Sequence, residues 1–210
     1  LEVELETDKG KVRSSVPIGT SVGKHEVKYL PVADAINKFH LIRRHFTAED
    51  FEKQEEVDSL IRIIDKTDDL REIGGNLALA VSSAFLKGFT LEAGQEVFEY
   101  VATQTKEKTN VPRPICNVVG GWKEQRSDIQ EFSLLPVHQT TFLDSITKIA
   151  HAYKDIGRKL NGIDPTFAFA KNLESAWVTN LPFEEIMKIL TKVANENLMK
   201  IGLDVAASQL

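Results

Sequence analysis

Nine residues at 129–137, Ile-Gln-Glu-Phe-Ser-Leu-Leu-Pro-Val, limit what this chain can become. The run is mostly apolar and is closed by Pro136 and the polar residues after it, which fits a buried strand. Periodicity alone still admits a piece of buried helix. Inside the run stand an amide and a carboxylate, Gln130 and Glu131. Burying an ionised group without a partner costs several kcal/mol, roughly. Glu131 therefore belongs at a mouth, against a cation or in a site. A strand-end salt bridge and a site residue are both open on these grounds.

The 210 residues suffice for one large domain or two modest ones. A hydrophobic share of 42% and a charged share of 27% describe an ordinary globular composition. The net charge of -5 speaks against nucleic acid or an anionic membrane as the main partner. Cys116 is the single cysteine, so no internal disulfide can form, and a reducing, cytoplasmic setting is expected. The longest apolar stretch, 77–86, is interrupted by Ser82 and Ser83 and is far too short to span a bilayer. No basic-then-apolar leader opens the chain, which starts at Leu1 rather than Met. It is expected to start downstream of its natural initiator.

Leu1, Val3 and Leu5 alternate with glutamates, Asp8-Lys9-Gly10 turns the chain, and 12–16 returns, which reads as a hairpin. The loop Gly19-Thr20-Ser21-Val22-Gly23 follows, then an apolar segment at 27–32 and a helix at 33–46. Thr47 and Asp50 form a capping-box-like start for a long helix burying Phe51, Val57, Leu60, Ile61 and Ile64. After a polar loop at 65–71, Gly74-Gly75-Asn76 leads into a small-residue helix at 77–87, and 93–105 is a further amphipathic helix. Residues 106–110 with Pro112 and Pro114 are the best linker candidate. Beyond it lie a strand at 115–119, a polar loop at 122–128 and the run at 129–137. Thr141 and Asp144 cap a helix whose buried face is Ile146, Ile149, Tyr153, Ile156 and Leu160. Irregular sequence at 162–179 precedes a helix with Pro182 in its first turn, burying Ile186, Ile189, Leu190 and Val193, and a strand at 200–207. Met187 and Met199 read as core and His25 as structural.

Four stretches together resemble enolase: VPIGTSVGKHE at 16–26, the family's mobile lid; IGGNLALAVSSA at 73–84, its small-residue helix; NVVGG at 117–121 with IQEF at 129–132, its first two barrel strands; and KIGLDVAAS at 200–208, its third. The resemblance implies an α+β N-terminal domain (small antiparallel sheet plus helices) at 1–108. An incomplete enolase-type α/β (TIM-like) barrel at 109–210 would follow, beginning with an antiparallel hairpin. It also implies the family reaction, magnesium-dependent dehydration of 2-phosphoglycerate to phosphoenolpyruvate in glycolysis, with Mg2+ as cofactor. A lysine or histidine base with a metal-stabilised ene-diolate belongs to that superfamily's chemistry. The partners implied are a small phosphorylated acid and a second copy in a homodimer, with no nucleic acid and no membrane.

By the same resemblance Asp204 matches a metal-ligand aspartate, Glu131 the active-site glutamate and Gln130 the glutamine beside it. Ser21 matches the lid serine that reaches the second metal. Asp204 could also cap or pair at a strand end, although its family position favours metal ligation, and Ser21 could be a turn serine. Two places depart from the family pattern. Trp122 and Lys123 stand where it has a Ser-His pair, and Pro165 or Thr166 falls where a glutamate assists departure of the hydroxyl. Neither proline nor threonine serves as a general acid at neutral pH. Three strands cannot close a barrel, so the strand bearing Asp204 is expected to expose an apolar edge and face and to be covered by a dimer partner or further chain. An incompletely seen lyase and a degenerate relative kept for binding or structure both follow from these residues.

Overall fold

The computed structural model describes residues 1–17, 19, 22–121, 129–138 and 141–209. The chain divides into two compact units, Leu1–Thr109 and Asn110–Leu210.

In the first unit, β1 (Glu2–Thr7) and β2 (Gly10–Ser15) pair antiparallel from Glu2 opposite Ser15 to Thr7 opposite Gly10. Alternation sends Val3 inward and leaves Glu4 outside, between Lys11 at 3.1 Å and Arg13 at 2.8 Å. Four helices follow: α1 (Val32–Thr47), α2 (Gln54–Ile64), α3 (Gly75–Ala93) and α4 (Val97–Thr105). Small residues on α3 let Leu77, Ala80, Val81 and Ala84 pack within one core with Val3, Ala35, Phe46, Val57 and Ile61. The segment at 27–32 is not a strand. Val27 and Leu30 pack on this core, and the buried Asn76 amide clasps Leu30, accepting from its N–H at 3.1 Å and donating to its carbonyl at 2.9 Å.

The expected helix start at Thr47 and Asp50 is displaced. Thr47 ends α1, and α2 begins at Gln54, where the Glu56 carboxylate accepts from the N–H groups of Glu52 and Lys53 at 2.9 and 3.2 Å. Phe51 lies edge-on to Phe85 at 5.3 Å, and that aromatic contact lies within the non-helical stretch between α1 and α2. The expected helix at 93–105 is likewise shorter, because α3 runs to Ala93 and ends in a left-handed turn at Gly94. The polar loop after α2 is built on one carboxylate. Asp65, fully buried, accepts from Thr67 N, Thr67 Oγ1, Glu72 N and Ile73 N at 2.5–3.0 Å. Burial pushes its pKa up, and these hydrogen bonds, Thr67's hydroxyl foremost, more than offset that and hold it below the usual range.

In the second unit β3 (Cys116–Gly120), β4 (Glu131–Pro136) and β5 (Met199–Asp204) form one sheet in that order, antiparallel throughout. Helices α5 (Phe142–Ile163) and α6 (Phe183–Asn197) share its core, where Phe132 and Leu134 meet Ile149, Ile156, Leu160, Ile186, Leu190 and Val193. Strand alternation therefore assigns Glu131 and Ser133 to the other face. Thr141 caps α5 by accepting from Asp144 N at 3.0 Å.

Three local expectations are corrected. Ile146 is 37% exposed and Tyr153 half-buried, while Ser145, Ala152 and Gly157 lie on the buried stripe of α5. Pro182 is the cap residue before α6 rather than part of its first turn. β5 stops at Asp204, whose carboxylate accepts from Ala206 N at 2.9 Å and bends the chain into a short 3-10 turn, Ala207–Gln209. The described residues form an open three-stranded sheet and no barrel. Leu203 on β5 is 41% exposed, an apolar residue left on the end strand.

Candidate functional site

The register of the second sheet sets the site. Asp204 is the direct cross-strand partner of Glu131, and Gly120 lies opposite Glu131 from the other side. Directly opposed residues hold their Cβ atoms about 5 Å apart on one face. The two carboxylates picked out from sequence are thus neighbours, although separated by two helices in the chain. Gln130 is half-buried just before β4, where its carbonyl accepts from Gly121 N at 3.0 Å.

A third carboxylate joins them, one that sequence reasoning missed. Glu174 accepts a hydrogen bond from Asn117 Nδ2 at 2.9 Å, and Asn117 stands on the same face as Ser133, its partner in β4. Burial pushes the Glu131 carboxyl above its usual range. The negative charges of Glu174 and Asp204, and a hydrogen bond with Glu174, push it further the same way. Burial and like charge together therefore hold the Glu131 carboxyl above the ordinary carboxylate range. The available signal was Glu174 followed by the small residues Ser175 and Ala176 in an otherwise irregular stretch.

Pro165 and Thr166 serve a different purpose. They turn the chain after α5 around Asp164, a 4% exposed carboxylate that accepts from Thr166 N (2.9 Å), Thr166 Oγ1 (2.6 Å), Thr179 Oγ1 (2.7 Å) and Asn180 N (3.0 Å). Burial raises its pKa; the four hydrogen bonds, led by the Thr166 and Thr179 hydroxyls, outweigh it and lower the value to about 2. Asp164 is a structural anion. The carboxylate beside Glu131 is Glu174, on the loop that this turn introduces. Ser21, Trp122 and Lys123 lie outside the described residues.

The donors suit a hard cation in kind, since carboxylate oxygens are what magnesium prefers. Their number falls short: among the described residues no group of three or more His, Cys, Asp or Glu is arranged to hold a metal ion. Of this set Asp204 is exposed, and its carboxylate accepts from Ala206 N at 2.9 Å. Among the described helices no single one is long and apolar enough to cross a membrane.

A family model described as the enolase N-terminal domain matches residues 1–101. Among curated relatives, the enolase of Methanosphaera stadtmanae is 31% identical over 222 residues, covering all of this chain and 53% of the relative. That of Picrophilus torridus is 31% identical, covering 98% of this chain and 54% of the relative. That of Pyrobaculum aerophilum is 29% identical, covering 94% and 50%. The chain spans about half the length of the curated relatives it matches.

Proposed function

The chain belongs to the enolase family, and from that premise we propose that Glu131, Glu174 and Asp204 are part of a site for the family reaction, dehydration of 2-phosphoglycerate to phosphoenolpyruvate. The observation that carries this is the direct opposition of Glu131 and Asp204 across β4 and β5, with Glu174 brought to Glu131 from a loop.

The chemistry needs a proton donor for the departing hydroxyl, which leaves poorly as hydroxide. A carboxyl whose acidity is weakened by burial and like charge, as that of Glu131 is, holds such a proton to higher pH than an isolated glutamate does. Glu131 takes that role with Glu174 beside it, and Asn117 Nδ2 donates to the Glu174 carboxylate at 2.9 Å and fixes its position. Asp204 would hold Mg2+ from the adjoining position, with further ligands from outside this set. When bound, the metal supplies the positive charge that stabilises the developing enediolate. Gln130 is proposed as a neighbour of the site and Ser21 as a lid ligand. A homodimer is part of the proposal, supported by the exposed Leu203 on the end strand β5, and so is a cytoplasmic setting, supported by the single cysteine.

A second reading has one observation behind it. The described carboxylates do not close a metal shell, as a relative that keeps the fold without the chemistry would show. The two separate on the whole polypeptide expressed from its reading frame, with intact mass checked first. Magnesium-dependent appearance of the enol absorbance, lost in Glu131→Gln and in Glu174→Gln, supports the lyase. Activity indifferent to both substitutions refutes the site, and no activity in the whole polypeptide supports the degenerate reading.

A further inference from the structure

We propose that Asn172, Tyr153 and Trp177 are positioning residues, which fold residues 171–177 into a fixed bracket that delivers the Glu174 carboxylate to Glu131. The proposal rests on Glu174 as the partner of Glu131 and goes beyond it, to what puts Glu174 there.

Glu174 has no regular element beneath it. It lies between helices, in a stretch whose regular pairing amounts to isolated bridges. A carboxylate on such a loop would sample many positions, and an acid must be held where the proton is needed. Asn172 closes the loop from inside. Its Oδ1 accepts from Glu174 N at 3.0 Å and Ala176 N at 2.9 Å, while its own N–H donates to Ala176 O and its carbonyl accepts from Ser175 N, both at 3.0 Å. An asparagine side chain that takes two following N–H groups is a self-contained turn former. Ser175 consequently sits at φ 64°, a left-handed conformation that a residue with a Cβ keeps only when its surroundings hold it there.

The bracket is then fastened at two feet. Trp177 N donates to Val118 O at 3.1 Å and Trp177 O accepts from Gly120 N at 3.0 Å, so the return arm is added to the outer edge of β3. Glycine at 120 is required there, because a Cβ would run into the Asn172 amide. On α5, the Tyr153 ring stacks on Trp177 at 4.6 Å, Trp177 Nε1 donates to Tyr153 O at 2.8 Å, and Tyr153 Oη donates to Ser175 O at 2.6 Å. The residue next to Glu174 is thereby tied to a helix and the loop to a strand. Lys171, the cation on this loop, lies beside the Tyr153 and Trp177 rings at 5.3 and 4.9 Å.

The experiment is NMR of the Asn117 side-chain amide, which donates to Glu174 at 2.9 Å, comparing Glu174→Ala, Asn172→Ala, Asn172→Asp and Tyr153→Phe. Glu174→Ala should move the Asn117 NH2 resonances and speed their exchange with water. Asn172→Ala should move them at least half as far, although Asn117 and Glu174 are both still present. Asn172→Asp keeps the oxygen that closes the loop and should leave them near their wild-type positions. Tyr153→Phe keeps the stacked ring and loses the bond to Ser175; it should give a smaller change in the same direction. Resonances that move in Glu174→Ala and stay at the wild-type positions in both Asn172→Ala and Tyr153→Phe overturn the positioning role alone. Resonances unmoved by Glu174→Ala overturn the placement of Glu174 and this proposal with it.

Discussion

Removing the charge of Asp164 should unfold the second unit more readily, by about 3 kcal/mol at pH 7, and the loss should fade in acid. The carboxylate receives four donors, two on each oxygen, at 2.6–3.0 Å, and is 4% exposed. Its pKa falls from 3.8 to about 2 on folding, which corresponds to about 2 kcal/mol of stability. A lowered native pKa means that this stability is present in full above 3.8 and is lost as pH falls through 2. Asp164→Asn removes it and sets an NH2 against two donors. The Thr179 hydroxyl can rotate to accept, but an N–H such as that of Asn180 is left unpaired, at about 1 kcal/mol more. Urea unfolding followed by tryptophan emission reports this, since the buried Trp177 belongs to the second unit. The gap between wild type and variant should narrow between pH 4 and pH 2. A gap below 1 kcal/mol at pH 7, or one that does not change with pH, would refute the account of Asp164 as an anion held by its turn.

Glu131 carries the opposite sign. Its raised pKa means that its contribution is favourable below its unfolded value and is lost as pH rises through the folded one. Glu131→Gln should therefore raise the melting temperature at pH 7 and remove the fall in stability as pH rises above the ordinary glutamate range; a lower melting temperature in the variant would contradict the like-charge crowding. Gly157→Ala places a Cβ 2.9 Å from the Trp177 ring. Overpacking of that kind costs about 1–3 kcal/mol, visible as a lower urea midpoint with altered tryptophan emission, whereas an unchanged midpoint would mean that the ring yields freely.

Much of the fold was legible because it is decided locally. The β1–β2 hairpin follows from alternating residues about a turn. The Thr141 cap of α5 and the apolar stripe of α6 follow from spacing alone. Errors came where a contact from elsewhere overrode a local preference. Thr47 and Asp50 have the spacing of a capping box, yet Phe51 goes to Phe85 and the helix waits until Gln54. Ile146 has the right period for α5 but faces solvent, because small residues occupy the buried stripe.

The candidate site divides along the same line. Glu131 inside an apolar run and Asp204 inside another were visible as residues, since a carboxylate in such company is costly and needs a reason. That they face each other was settled by the register of β4 against β5, a pairing between strands with two helices between them in the chain. Glu174 carries no local signature of comparable strength. Its place beside Glu131 comes from Asn172 closing a loop and from Trp177 joining the edge of β3. The chain alone determined which segments are helix and strand and which carboxylates are out of keeping with their neighbours, because those properties depend on residues a few positions apart. Only the tertiary structure decided which carboxylates are crowded together, because that depends on distances set by strand register and loop docking.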